Sequence, residues 1–243
     1  MWLTLLVLLS EVIFLSLVTT KLTATVFVLL LHMTRSRSVS ISVLSLILFP
    51  GTVIHELSHL FVAEILGVHT GKLTLVPDSV SSDEIQTGSV TIVQTDPFRR
   101  TLIGIAPLFV GTGTLCALAY FFGIQFQPIM NTGSWEALAN WKSIAMLFFY
   151  YYSIGTISTS MFSSSEDLKG SLPVVLTLGL IIGGLWMAGI RISVTGPVYG
   201  VLSGILTGLA TTLGIVLMLD ILSLGMTHIL LTYLNTRMGV RRV

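Results

Sequence analysis

Residues Val39–Val68 read VSISVLSLILFPGTVIHELSHLFVAEILGV, a run with no charged side chain except Glu56, inside the cluster His55–His59, and Glu64. Crossing the hydrocarbon core of a bilayer takes ~20 apolar residues as a helix, so this run is long enough to span. Burying His, Glu and His among apolar side chains costs several kcal/mol unless they are paired or liganded, so ionisable residues at membrane depth point to a functional site. On an α-helix, positions i and i+4 share a face one turn apart, which brings His55 and His59 together. Two imidazoles so placed can grip one zinc ion, and Glu56 beside them is placed to take a proton from a water held there. With the helix ending near Gly67, His59 lies about 12 Å below the surface at ~1.5 Å per residue, and His55 deeper. Water has to reach such a site, and Pro50-Gly51, one turn ahead, offers a helix kink that opens a wet cavity.

The rest of the chain fits a membrane setting. Of 243 residues, 53% are hydrophobic and only 9% charged, and the mean hydropathy is +0.93, too little charge to cover a soluble surface. The net charge of +1 gives no footing for a nucleic-acid partner. Cys116 is the single cysteine, which rules out an internal disulfide or a thiolate metal cluster. Six apolar stretches stand out: Trp2–Met33, Val39–Val68, Thr101–Ile124, Ser143–Phe162, Ser171–Ile190 and Val198–Leu234. The first and last exceed one straight span, with Lys21 dividing the first and Asp220 or Gly225 the last. The N-terminal run lacks a basic leader and a small-x-small cleavage site, and reads as a retained helix.

The expected fold class is therefore an all-α polytopic membrane protein of about six transmembrane helices, a single integral membrane domain over 1–243. Residues 69–100 form a polar interruption after the second helix. Lys72–Val76 and Ser89–Gln94 are short and β-branched, with a Pro-Asp-Ser turn signal between them, and read as a small β-hairpin. Gln125–Trp141 is the second polar loop. With six spans, Lys72, Arg99, Arg100, Lys169, Arg237, Arg241 and Arg242 fall on one side, and Arg35, Arg37, Lys142 and Arg191 on the other. This bias favours cytosolic termini, with the hairpin and the active site facing the cytosol; which membrane is involved is not encoded.

Catalytic zinc takes three protein ligands and leaves a position for water, so His55 and His59 need a third partner. Asp167, in the loop Ser163–Gly170, falls on the same side of the membrane as the end of the His55–His59 helix. Glu136 is the rival, on the opposite side by this topology. Asp220 is an intramembrane acid without an evident partner. Glu64 lies off the His face, and Glu11, His32, His69 and His228 complete the roll of candidates.

At this point the chain resembles the site-2 protease family of intramembrane zinc metalloproteases. The resemblance covers Val39–Gly170. It rests on His55-Glu56-x-x-His59 in an apolar helix, the segment Gly71–Gln94, the helix opening Gly104-Ile-Ala-Pro107, and Asp167-x-x-Gly170 where the family has an Asp-Gly ligand motif. It implies a three-helix catalytic core within residues 39–170, Zn2+ held by His55, His59 and Asp167, and Glu56 as general base. It also implies transmembrane protein substrates cleaved within the bilayer to release a regulatory fragment. The chain departs from the family in lacking the Asn-Pro before the Asp, where Ser158–Ser165 stands instead, and in lacking a PDZ-like module. It reads as a divergent, minimal member. The competing readings are a non-catalytic membrane metal-binding protein that binds or regulates other membrane proteins, and a metal transporter. Gly200, Gly204 and Gly208 form a small-residue stripe at helical spacing, which suits close packing within the chain or a homo-oligomer face.

Overall fold

A computed structural model describes residues 2–74, 89–92, 95–132, 140–161 and 196–237, with isolated positions between 177 and 189. Its elements are α1 (Trp2–Thr34), α2 (Arg37–Ile65), β1 (Thr70–Thr74), β2 (Ser89–Ile92), α3 (Pro97–Thr132), α4 (Trp141–Met161) and α5 (Pro197–Arg237). α2 sits in the middle, packed by α3, α4 and α1, while α5 runs along α1. Among the described residues, four helices are long and apolar enough to cross a membrane: Leu3–Thr34, Arg37–Ile65, Pro97–Gln125 and Val198–Thr236. Leu3, Leu6, Phe61, Ile65, Phe109, Phe148, Met226 and Ile229 all point outward from these helices and α4. Such an apolar exterior belongs in lipid, and the protein is membrane-embedded.

α1 and α5 correct the expectation that each is divided. α1 is one helix of 33 residues and α5 one of 41, about 50 and 60 Å long at ~1.5 Å per residue, so each tilts or projects beyond a ~30 Å core. The threonines do not break them because their hydroxyls are satisfied locally. The hydroxyls of Thr19, Thr20, Thr23 and Thr25 donate to carbonyls four residues back, as do those of Thr207, Thr211 and Thr212 in α5. Lys21 is exposed, and its long stem can carry the ammonium toward water. α3 also runs further than the apolar pattern, to Thr132, so the start of the expected loop Gln125–Trp141 is helical; Gln125 and Gln127 are good helix formers. α4 falls outside the four helices long and apolar enough to cross. The expected stretch Ser171–Ile190 lies outside the described residues, apart from isolated positions.

The connections around α2 follow from local chemistry. Arg35 takes the left-handed conformation (φ 55°) that turns α1 back into α2, and Ser36 caps α2 by accepting the Val39 N–H at 3.5 Å. At the other end Gly67 adopts φ 68°. The Gly67 N–H donates to the Glu64 carbonyl at 3.0 Å and the Val68 N–H to the Ala63 carbonyl at 2.9 Å, the bond pair of a Schellman motif. Val68 then packs with Ala63 and Ile103, pinning the end of α2 to α3. A Cβ at Gly67 would meet nothing within 4 Å, so Gly67→Ala is opposed by backbone conformation alone. It is expected to destabilise the protein by about 1–2 kcal/mol, read as a lower thermal midpoint in detergent.

α3 opens on Asp96-Pro97. The Asp96 carboxylate accepts the Arg99 N–H at 3.1 Å and pairs with the Arg99 guanidinium at 3.2 Å, while Pro97 supplies a preset first turn. The Arg99 backbone hydrogen bond, with the Arg99 charge behind it, holds the Asp96 carboxyl below the usual carboxylate range. Between α2 and α3, β1 pairs antiparallel with β2 in the register Thr70↔Ile92, Leu73↔Val90, Thr74↔Ser89, with an irregularity between Thr70 and Leu73. The intervening residues 75–88 lie outside the described ones.

Candidate metal centre

The buried positions of α2 are Ser40, Ile41, Leu44, Gly51, Thr52, His55, Glu56, Ser58, His59 and Ala63, which keep mostly to one side of the helix. Its polar members gather between Thr52 and His59, apart from Ser40 at the start of the helix. His55 is 6% exposed, Glu56 5% and His59 4%, so the cluster lies inside the bundle rather than toward lipid.

The two imidazoles meet edge to face, with ring centroids 4.8 Å apart and planes at 81°. Their Nε2 atoms stand 3.1 Å from each other. On its far side, His59 Nδ1 lies 2.8 Å from the backbone carbonyl oxygen of Ile103 in α3. A carbonyl has no proton to give, so Nδ1 is the donor and carries the hydrogen. The Nε2 of neutral His59 then holds a lone pair directed at His55.

This geometry suits a metal ion. Two nitrogens 3.1 Å apart, each ~2.05 Å from a shared ion, subtend about 98° there, close to a tetrahedral angle. A ligating histidine also commonly donates its other N–H to a backbone carbonyl, the role Ile103 fills here.

The wall of the site is set by α4. The Tyr152 hydroxyl donates to the Ile47 carbonyl at 2.9 Å, and a Cβ at Gly51 would overlap the Thr156 carbonyl. Advancing four residues on α2 thus advances four on α4, so the helices run parallel, with Thr156 and Ser160 against Gly51, one turn before His55. Every residue from Thr156 to Met161 is buried. Met161 in turn packs onto Gly111 of α3.

The sequence candidates fall in different places. His55, Glu56 and His59 come together. Asp167 and Glu136 lie outside the described residues, and among the described residues no group of three His, Cys, Asp or Glu is poised to hold a metal. Asp220 is 1% exposed but faces Ser158 of α4, and the Glu11 carboxylate lies against Gly214 of α5. Glu64, His69 and His228 are exposed, and His32 Nδ1 is bonded to the Val28 carbonyl within α1 at 2.8 Å. Gly200, Gly204 and Gly208 lie on the exposed side of α5, with nothing among the described residues near a built Cβ. Sequence reasoning missed two contacts. A backbone acceptor such as the Ile103 carbonyl leaves no side-chain pattern, and the pairing of Asp220 with Ser158 joins helices far apart in sequence. Against protein-family models, curated proteins and solved structures alike, the chain finds no match.

Proposed function

We propose that this chain is a zinc-dependent intramembrane peptidase, a divergent and minimal relative of the site-2 proteases. The observation that carries the reading is the buried convergence of the His55 and His59 Nε2 atoms at 3.1 Å, with Glu56 adjoining on the same helix. His55, His59 and Asp167 would hold the ion. Zinc, when bound, supplies a Lewis acid that polarises a peptide carbonyl and makes water acidic near neutral pH. Glu56 accepts the proton of the attacking water on a carboxylate oxygen and returns it to the leaving amine. The close packing of α2, α3 and α4 keeps lipid and bulk water away and strengthens each charge interaction.

Chain reach favours Asp167 over Glu136 as third ligand. Asp167 follows Met161 by six residues, and Met161 ends α4 just beyond Ser160, whose hydroxyl stands against Gly51 one turn before His55, so up to about 20 Å of chain is available. Glu136 follows Thr132, which is about 43 Å along α3 from the Ile103 carbonyl that touches His59. Four further residues extend at most about 14 Å. The full topology belongs to the same reading: six spans, cytosolic termini, and a β-hairpin on the cytosolic side. A strand edge there binds extended peptide by backbone hydrogen bonds, which suits a transmembrane helix unwound for cleavage.

The test is elemental analysis of detergent-purified protein beside Asp167→Ala. The expected result is about one zinc per chain in the parent and much less in the variant. A parent that stays metal-free after zinc is supplied throughout purification sinks the reading. Full zinc in both proteins removes Asp167 from it.

A further inference from the structure

We propose that Pro107 is a positioning residue: by withholding the N–H that would close the α3 helix onto Ile103, it reserves the Ile103 carbonyl for His59 and fixes which ring nitrogen of His59 faces His55. The inference rests on the metal-site reading for its purpose, though not for its geometry.

In an α-helix the carbonyl of residue i receives the N–H of residue i+4. α3 runs unbroken from Pro97 to Thr132, so the donor position for Ile103 is residue 107. Proline has no N–H, and its ring presses on the carbonyl four residues back and tips it off the helix axis. A carbonyl left so within a membrane helix needs a partner, because lipid offers none. Ile103 is 0% exposed and Pro107 is buried, so water is a poor substitute at this point. The His59 imidazole fills the position at 2.8 Å.

The exchange has a chemical consequence. Neutral imidazole carries one N–H, and with Nδ1 committed to Ile103 the Nε2 atom presents its lone pair. That Nε2 is the atom 3.1 Å from His55 Nε2. The acceptor is also held rigidly, because Ile103 packs in one buried cluster with Ala63 and Val68, four and nine residues beyond His59. A missing hydrogen bond in α3 thus sets both the tautomer and the ring orientation of a side chain in α2.

The full chain, labelled with 15N-histidine and studied metal-free in nanodiscs, tests this by NMR. His59 is assigned by the signals lost in His59→Asn. The parent is expected to show His59 in the Nδ1-protonated form. Pro107→Ala restores a donor at residue 107 and is a better helix former than proline, so the fold should survive. In that variant His59 is expected to populate both tautomers, and the zinc dissociation constant, measured by chelator competition, to rise about 10-fold. If the variant keeps the parent's tautomer, Pro107 is only a bend and the proposal is overturned. If the tautomers mix but neither protein binds zinc, the role of Pro107 stands and the peptidase reading fails.

Discussion

Glu56→Gln is expected to leave zinc at about one per chain while lowering peptide cleavage by 100- to 10,000-fold, the span of a lost general base. The two side chains have nearly the same shape and volume, so the buried position of Glu56 should tolerate the change with little repacking. What is lost is the ability to take a proton, since a neutral amide is not a base near neutral pH. The readout pairs elemental analysis with cleavage of a tagged transmembrane substrate in proteoliposomes. Undiminished cleavage in Glu56→Gln would falsify the assigned base. His59→Ala in the same assay is expected to lose metal and cleavage together.

The same variant separates the competing classes. A membrane protein that keeps a metal only to bind or regulate other proteins has no use for a base, so Glu56→Gln should leave its partner binding unchanged. A metal transporter predicts zinc flux across proteoliposomes and ionisable residues along a whole path. In the described structure His55, Glu56 and His59 are clustered, whereas Asp220 and Glu11 face Ser158 and Gly214 at the packing of α5 with α4 and α1.

Much of this organisation could be read from particular residues. The span Val39–Val68 announced α2, and the His55–His59 spacing announced a shared face, because helix period and burial cost act on the chain locally. Lys21, Asp220 and Gly225 misled as break points. Whether a polar residue ends a membrane helix depends on where its side chain finds a partner, and Asp220 finds Ser158 on another helix. The Ile103 carbonyl was hidden for a related reason: the carbonyl is a backbone group, freed by a proline four residues on and used by a ring 44 residues earlier. Pro107 was visible as a motif letter, but its hydrogen-bond consequence appears only once α2 and α3 are side by side.

Gly51→Ala is expected to destabilise the protein by about 2–3 kcal/mol even though alanine is the better helix former. Gly51 lies one turn before His55, where a Cβ would overlap the Thr156 carbonyl and stand 2.5 Å from the Ser160 hydroxyl. A rotating hydroxyl can yield, but a carbonyl fixed in the α4 backbone cannot, so the helices must part. That displacement acts on Thr156–Met161, the buried end of α4 beside the turn that precedes His55 and the element that leads in sequence to Asp167. Zinc affinity is therefore expected to fall about 10-fold as well, the usual scale for a disturbed supporting shell. Gly204→Ala supplies the contrast, since a Cβ at that exposed position meets nothing within 4 Å. There the gain in helix propensity acts alone and should stabilise by up to ~1 kcal/mol. Thermal unfolding in detergent, with and without added zinc, reads both effects. Opposite signs for the two alanines mean that the close approach of α2 to α4 holds the metal centre in shape. If Gly51→Ala instead behaves like Gly204→Ala, with zinc affinity intact, the α2–α4 contact is looser than its geometry implies and does not set the position of His55.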